Sequence, residues 1–184
     1  LFRLKGQALQ ASRKQMQIIF QNPFASLNPR MRVQEILEEG MKSLHPEWSV
    51  DQRKADLKIL MDQVGLRADA LDRYPHEFSG GQRQRIAIAR AIYGMPKYVV
   101  MDEPNSNLDE VGENALISAV KALKDNGGTV IITTHRPRLV SIVDMMLVLK
   151  EGRQVAFGTA KDMLEAVRRL QAVPADGEAK DEPE

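Results

Sequence analysis

The sequence predicts an α/β protein with a mostly parallel sheet and an inserted helical subdomain. Two observations predict it. After position 95 the pattern runs strand, helix, strand, helix, hairpin, helix, the alternation from which parallel sheets are built. Residues 33–78 carry helical periodicity and no strand, as an inserted helical segment would.

Residues 15–20 (QMQIIF) are a short apolar run that reads as a strand, followed by turn signals at Gln21-Asn22-Pro23 and Asn28-Pro29. In 33–44, Val33, Ile36, Leu37, Gly40, Met41 and Leu44 recur at helical spacing. Ser49 and Gln52 have the spacing of a capping box, which opens a second helix with Leu57, Leu60, Met61 and Val64 on its apolar face and Gly65 at its end. Residues 69–77, with Pro75, read as a polar connection. Ser79-Gly80-Gly81 opens a third helix, which Gly94 and Pro96 stop. Residues 98–101 and 129–133 are predicted strands of the fully buried type. A helix over 108–123 lies between them, with Leu116, Ala119, Val120 and Leu123 as its buried stripe. A short helix over 138–143 precedes a hairpin, 145–149 and 155–157, turned at Glu151-Gly152. Thr159 with Asp162 caps a last helix to about residue 170.

With 184 residues, 43% of them hydrophobic and 28% charged, the chain reads as a globular protein. It has no cysteine, which excludes disulfides and thiolate chemistry, and its three histidines do not form a metal-ligand cluster. A net charge of +1 gives no case for a nucleic-acid partner. No apolar run approaches the ~20 residues of a membrane span, and no signal peptide is legible, so a cytoplasmic location is expected. The basic start (Arg3, Lys5, Arg13, Lys14) reads as a solvated face. The acidic tail, 171–184, is expected to be disordered because it has nothing to bury.

Four places carry chemistry. A strand ending in Asp102-Glu103 places two carboxylates at its carboxyl end, where open α/β sheets bind ligands. One can hold a magnesium ion and the other can polarise a water; a plain strand-end turn is the alternative. Gly80 and Gly81 at a helix start either form an anion site with free amides or make a tight turn. His135 follows a strand and can reach a phosphate or a carboxylate, or be structural. Gln21 follows another strand and either ligates magnesium or begins a loop.

Order and spacing say more than any one of these, and here the chain resembles the nucleotide-binding domains of ABC transporters over about residues 15–170. In that family Gln21 matches the Q-loop glutamine, which touches the metal and senses the membrane subunit. Phe78-Ser79-Gly80-Gly81-Gln82 matches the signature motif, and Val99-Val100-Met101-Asp102 matches Walker B. Glu103 matches the catalytic glutamate, Ser106-Asn107-Leu108-Asp109 the D-loop, and His135 the switch histidine. The resemblance implies a P-loop NTPase-like (RecA-like) core, with 1–32 and 79–170 forming the catalytic part around the helical subdomain at 33–78. It implies ATP and Mg2+ as ligands, with Asp102 and Gln21 positioning the metal. Ser79, Gly80, Gly81, Gln82 and Asp109 would face a nucleotide. It also implies a second ABC domain (homo- or heterodimer), membrane-spanning transporter subunits, and a place at the bacterial inner membrane, on its cytoplasmic side.

Two features set further expectations. Residues 15–90, with FQNPFASLNPR, resemble oligopeptide and dipeptide importer ATPases, whereas 91–170, with GGTVIITTHRP, resemble those of type I secretion exporters. The sequence therefore reads as a possible chimera of import and export types. No G-x-x-x-x-G-K-[ST] string occurs in it, so a truncated core without the phosphate-holding Walker A loop is expected, with weak ATP binding and little hydrolysis by the chain alone. Apolar faces of the strands at 98–101 and 129–133 are then expected to lie uncovered. A non-enzymatic fragment that keeps these motifs and only packs or oligomerises is the alternative reading.

Overall fold

The structure, a computed structural model, describes residues 5–22 and 27–171. Arg3, residues 23–26 and residues 172–184 of the acidic tail lie outside the described residues. The chain forms two compact units, residues 1–136 and 137–184.

In the first unit, β1 (Met16–Ile19), β2 (Tyr98–Asp102) and β3 (Thr129–Thr133) form a parallel sheet in the order β1-β2-β3. Ile18 pairs with Val100 and Val100 with Ile131, so these three share one face. The opposite face carries Ile19, Val99 and Met101, all buried. On the helical side α4 (Gly80–Ile92) packs on β1 and α5 (Glu110–Asp125) packs on β3, and the two helices touch each other. Composition alone reads β2 and β3 as buried on both faces, which is corrected for β3 and for half of β2, whereas the uncovered apolar faces also expected at 98–101 and 129–133 are what the structure shows. Ile18, Tyr98 and Ile131 are 55%, 51% and 58% exposed. An apolar run reads the same whether one face or two are covered, which is why composition misjudged it.

Between β1 and β2 come α2 (Val33–Leu44), α3 (Val50–Gln63) and two 3-10 turns, Ala68–Asp72 and Pro75–Glu77. The turns stand where a plain polar connection was expected. Helix α3 starts where its side chains dictate: Ser49 Oγ accepts from the Gln52 amide at 3.3 Å and Gln52 Oε1 accepts from the Ser49 amide at 2.8 Å. The apolar stripes of α2 and α3 meet α4, and Ile36, Met41, Leu57, Met61, Ile86 and Ile88 are fully buried there. Helix α5 begins at Glu110 rather than 108 because Asp109 caps it, accepting from the Gly112 amide at 2.9 Å. A helix absent from the sequence reading, α1 (Gly6–Lys14), precedes β1, and none of its residues is buried.

The second unit opens with α6 (Pro137–Val140) and continues into an antiparallel hairpin of β4 (Met145–Lys150) and β5 (Arg153–Thr159). Its two-residue turn has positive φ at both Glu151 (52°) and Gly152 (73°), the conformation that matches strand twist. Helix α7 (Ala160–Gln171) follows and packs on the hairpin. Thr159 caps it: its hydroxyl accepts from the Asp162 amide at 3.2 Å and donates to the Asp162 carboxylate at 2.7 Å.

Candidate functional site

Parallel pairing puts the carboxyl ends of β1, β2 and β3 side by side, and the chemistry-bearing residues follow those ends. Asp102 closes β2 and pairs with Thr133, which closes β3. Glu103 then departs from strand geometry with φ of +43°. For a residue with a Cβ this costs on the order of 1–3 kcal/mol and persists only where surrounding bonds hold it. Here they do: the Glu103 amide donates to the Thr133 carbonyl at 3.0 Å and to the Thr133 hydroxyl at 3.2 Å. The same hydroxyl donates to Asp102 Oδ1 at 2.5 Å, the short length of a bond to a carboxylate.

His135 Nδ1 lies 3.0 Å from Glu103 Oε1 and donates to it when that nitrogen carries the proton. The histidine side chain is 74% exposed, whereas that of Glu103 is 22% exposed. The other carboxylate oxygen, Oε2, is buried and has no hydrogen-bond partner. A buried carboxylate oxygen without a donor invites a water or a cation. Asp102, Glu103 and His135 thus converge. Gln21 stands exposed just past the carboxyl end of β1, the strand next to β2, so it shares this edge of the sheet. Among the described residues no group of three or more His, Cys, Asp or Glu side chains is placed to hold a metal ion by itself. The donor set at this edge is open and oxygen-rich, which fits magnesium, an ion that keeps several waters and takes one or two carboxylates. At that edge Asp102 offers a carboxylate and Gln21 an amide oxygen.

A second group forms at the start of α4. Ser79 Oγ accepts from the Gln82 amide at 3.3 Å, and Gln82 Oε1 accepts from the Ser79 amide at 3.0 Å, so these two side chains cap the helix reciprocally. A Cβ on Gly81 would lie 2.5 Å from the carbonyl oxygen of Asn107. A side chain at Gly81 would therefore force that backbone to shift, so the close approach here is made by the chain's own loop.

The loop between Glu103 and α5 joins the two groups by turns: the Ser106 amide donates to the Glu103 carbonyl at 3.1 Å and the Leu108 amide to the Asn105 carbonyl at 3.3 Å. Asp109, at its end, receives both Arg85 Nη2 contacts, at 3.1 and 3.0 Å. Arg85 also donates from Nη1 to the Gly65 carbonyl at 2.9 Å, tying α4 to the end of α3. Sequence reasoning missed Arg85, one of three arginines in α4, because its partners lie 20 and 24 residues away. It also missed Thr133 and the Thr134–Asn105 bond of 3.2 Å, which steadies the loop from the β3 side.

A family model described as ABC transporter matches residues 3–106. The chain is 41% identical over 163 residues to the oligopeptide transport ATP-binding protein OppF of Streptococcus mutans, covering 88% of the chain and 53% of that protein. It is 42% identical over 153 residues to the dipeptide transport ATP-binding protein DppF of Haemophilus influenzae, covering 82% and 46%. The chain thus spans about half the length of the curated relatives it matches. Among solved structures, the ATP-binding cassette MJ0796, in a dimeric post-hydrolysis state bound to ADP and Pi, matches with a TM-score of 0.76. That match has 23% identity over 86% of the chain and 68% of the cassette, and shows a shared RecA-like α/β fold.

These matches overturn the two-part reading. A single peptide-importer ATPase aligns along 88% of the chain, across both segments that had seemed to differ in origin, so the chain is not a chimera. The expectation of a truncated core lacking the Walker A segment is corrected with it. The domain is of the ordinary family type, and a loop motif missing from 184 residues that span half of a relative defines no subclass.

Proposed function

The chain belongs to the ABC transporter family, and on that premise we propose that it is part of the ATP-binding, ATP-hydrolysing component of a peptide importer. The observation that carries this is the cluster at the sheet's carboxyl edge, where His135 lies 3.0 Å from one Glu103 oxygen and the other stays unpartnered. The substrate class rests on the printed names of the oligopeptide and dipeptide relatives.

In this reading the Glu103 carboxylate accepts hydrogen from the attacking water. His135 orients that carboxylate and presents its exposed ring to the terminal phosphate. Asp102 and Gln21 hold the hydrated metal from adjacent strand ends. Magnesium, when bound, supplies positive charge that offsets the charge on the transferred phosphate. Ser79, Gly80, Gly81 and Gln82 offer a helix start to a nucleotide held by a second ABC domain, and Asp109, fixed by Arg85, shapes the loop beside it. The partners are that second domain and membrane-spanning subunits, at the cytoplasmic side of a bacterial inner membrane. No helix among the described residues is long and apolar enough to cross a membrane. Residues 33–78 serve as the helical subdomain.

The test is peptide uptake by cells that encode the protein, with growth made dependent on an imported di- or oligopeptide. Glu103→Gln should abolish uptake and lower ATP turnover of the purified protein about a hundredfold or more, the scale of a lost general base. Full uptake and turnover in the variant would remove Glu103 from the reaction, and a folded parent without turnover would leave the non-enzymatic alternative standing.

A further inference from the structure

We infer that Thr133 is a positioning residue, whose single hydroxyl sets both the Asp102 carboxylate and the backbone of Glu103; this rests on the functional reading above. The ordinary account of a threonine here is strand propensity, since β-branched residues suit strands and an exposed hydroxyl finds water. Valine, with the same shape, would satisfy that account equally well. Three observations go beyond it.

First, the hydroxyl is fully engaged. It donates its one hydrogen to Asp102 Oδ1 at 2.5 Å and accepts from the Glu103 amide at 3.2 Å, although the residue is exposed and water is available. Second, it acts where the ladder ends. Asp102–Thr133 is the last pair of the β2–β3 register, so beyond it regular pairing no longer fixes the chain. Third, it acts on a strained residue. Neighbours along a strand point to opposite faces, and the +43° φ of Glu103 breaks that alternation immediately after Asp102. The hydroxyl and carbonyl of Thr133 both hold the Glu103 amide in that conformation. One side chain thus sets the spacing between the carboxylate assigned to the metal and the carboxylate assigned to the water.

The experiment compares the encoded protein with its Thr133→Val, Thr133→Ser and Glu103→Gln variants. Two quantities are read: the kcat and KM of magnesium-dependent ATP turnover, and hydrogen exchange at the Glu103 amide. Thr133→Val should lower kcat about tenfold, a modest share of what an ångström of misplacement can cost, with KM for ATP within about twofold of the parent. Exchange at Glu103 should quicken about tenfold, as a bond of the strained turn is lost. Thr133→Ser, which keeps the hydroxyl, should restore both to within about twofold. A Thr133→Val protein with parental kcat, or with lowered kcat and unchanged exchange, overturns the inference, as does failure of Thr133→Ser to restore. Parental turnover indifferent to Glu103→Gln sinks the functional reading instead, and the positioning role falls with it.

Discussion

At the scale of single residues, two groups make the first unit's stability depend on pH. Burial, then the Asp56 carboxylate beside it and the charge of Glu47, push the Tyr93 phenol up to about 12. The unfolded phenol releases its proton near its ordinary value of about 10, so between these values the unfolded chain binds fewer protons. Stability contributed by Tyr93 is therefore complete below about pH 10 and is lost as pH rises toward 12. Denaturant titrations across that range should show a falling midpoint in the parent and a flatter one in Tyr93→Phe. Glu38 behaves oppositely. Burial pushes its carboxyl up, but bonds from Gln34 and Lys42 and the charges of Lys42 and Arg53 outweigh it and hold it below its ordinary value. Its contribution is present above the usual carboxylate range and is lost as pH falls through the lowered value. Lys42→Ala, which removes the 2.9 Å ion pair, should move acid unfolding followed by circular dichroism to higher pH.

Among elements, helix α4 is the most tightly specified. Ser79→Ala removes one half of its capping box and should cost about 1 kcal/mol in urea denaturation, a cost that Ser79→Asp largely avoids. Gly81→Ala drives a Cβ into the Asn107 carbonyl and should cost about 1–3 kcal/mol, as overpacking does; a variant as stable as the parent would show that the loop simply moves away. Most elements were legible in the sequence because each announced itself locally. Ser49–Gln52 and Thr159–Asp162 are caps at the right spacing, and both are made. What was not legible depended on distance. Nothing local distinguishes Thr133 in TVIIT from any strand threonine, or Arg85 from any helical arginine; their partners lie 31 and 24 residues away. The carboxylates and His135 were found because strand ends are visible in sequence, whereas the bonds that fix their geometry are not.

Across the whole molecule, the sheet of the first unit has one covered face and one open face. The two faces therefore predict opposite mutational costs in the 184-residue chain. Met101→Ala, on the buried face, should cost about 2–5 kcal/mol, and Ile131→Thr, on the open face, no more than about 0.5 kcal/mol by chemical denaturation. A large cost for Ile131→Thr would show that something covers this face in solution. The matched relatives, about twice the chain's span, set the frame for that comparison.

Backbone contact at Gly81 removes a degree of freedom. With the Asn107 carbonyl seated where a side chain would otherwise stand, the first turn of α4 cannot advance toward the loop without pushing it. That loop hangs, through the Ser106 and Leu108 turn bonds, from Glu103, whose amide is fastened to β3. The chain behaves here as a short linkage of rigid bars. The glycine notch and the carboxylate are thus joined by one short run of chain and its turn bonds.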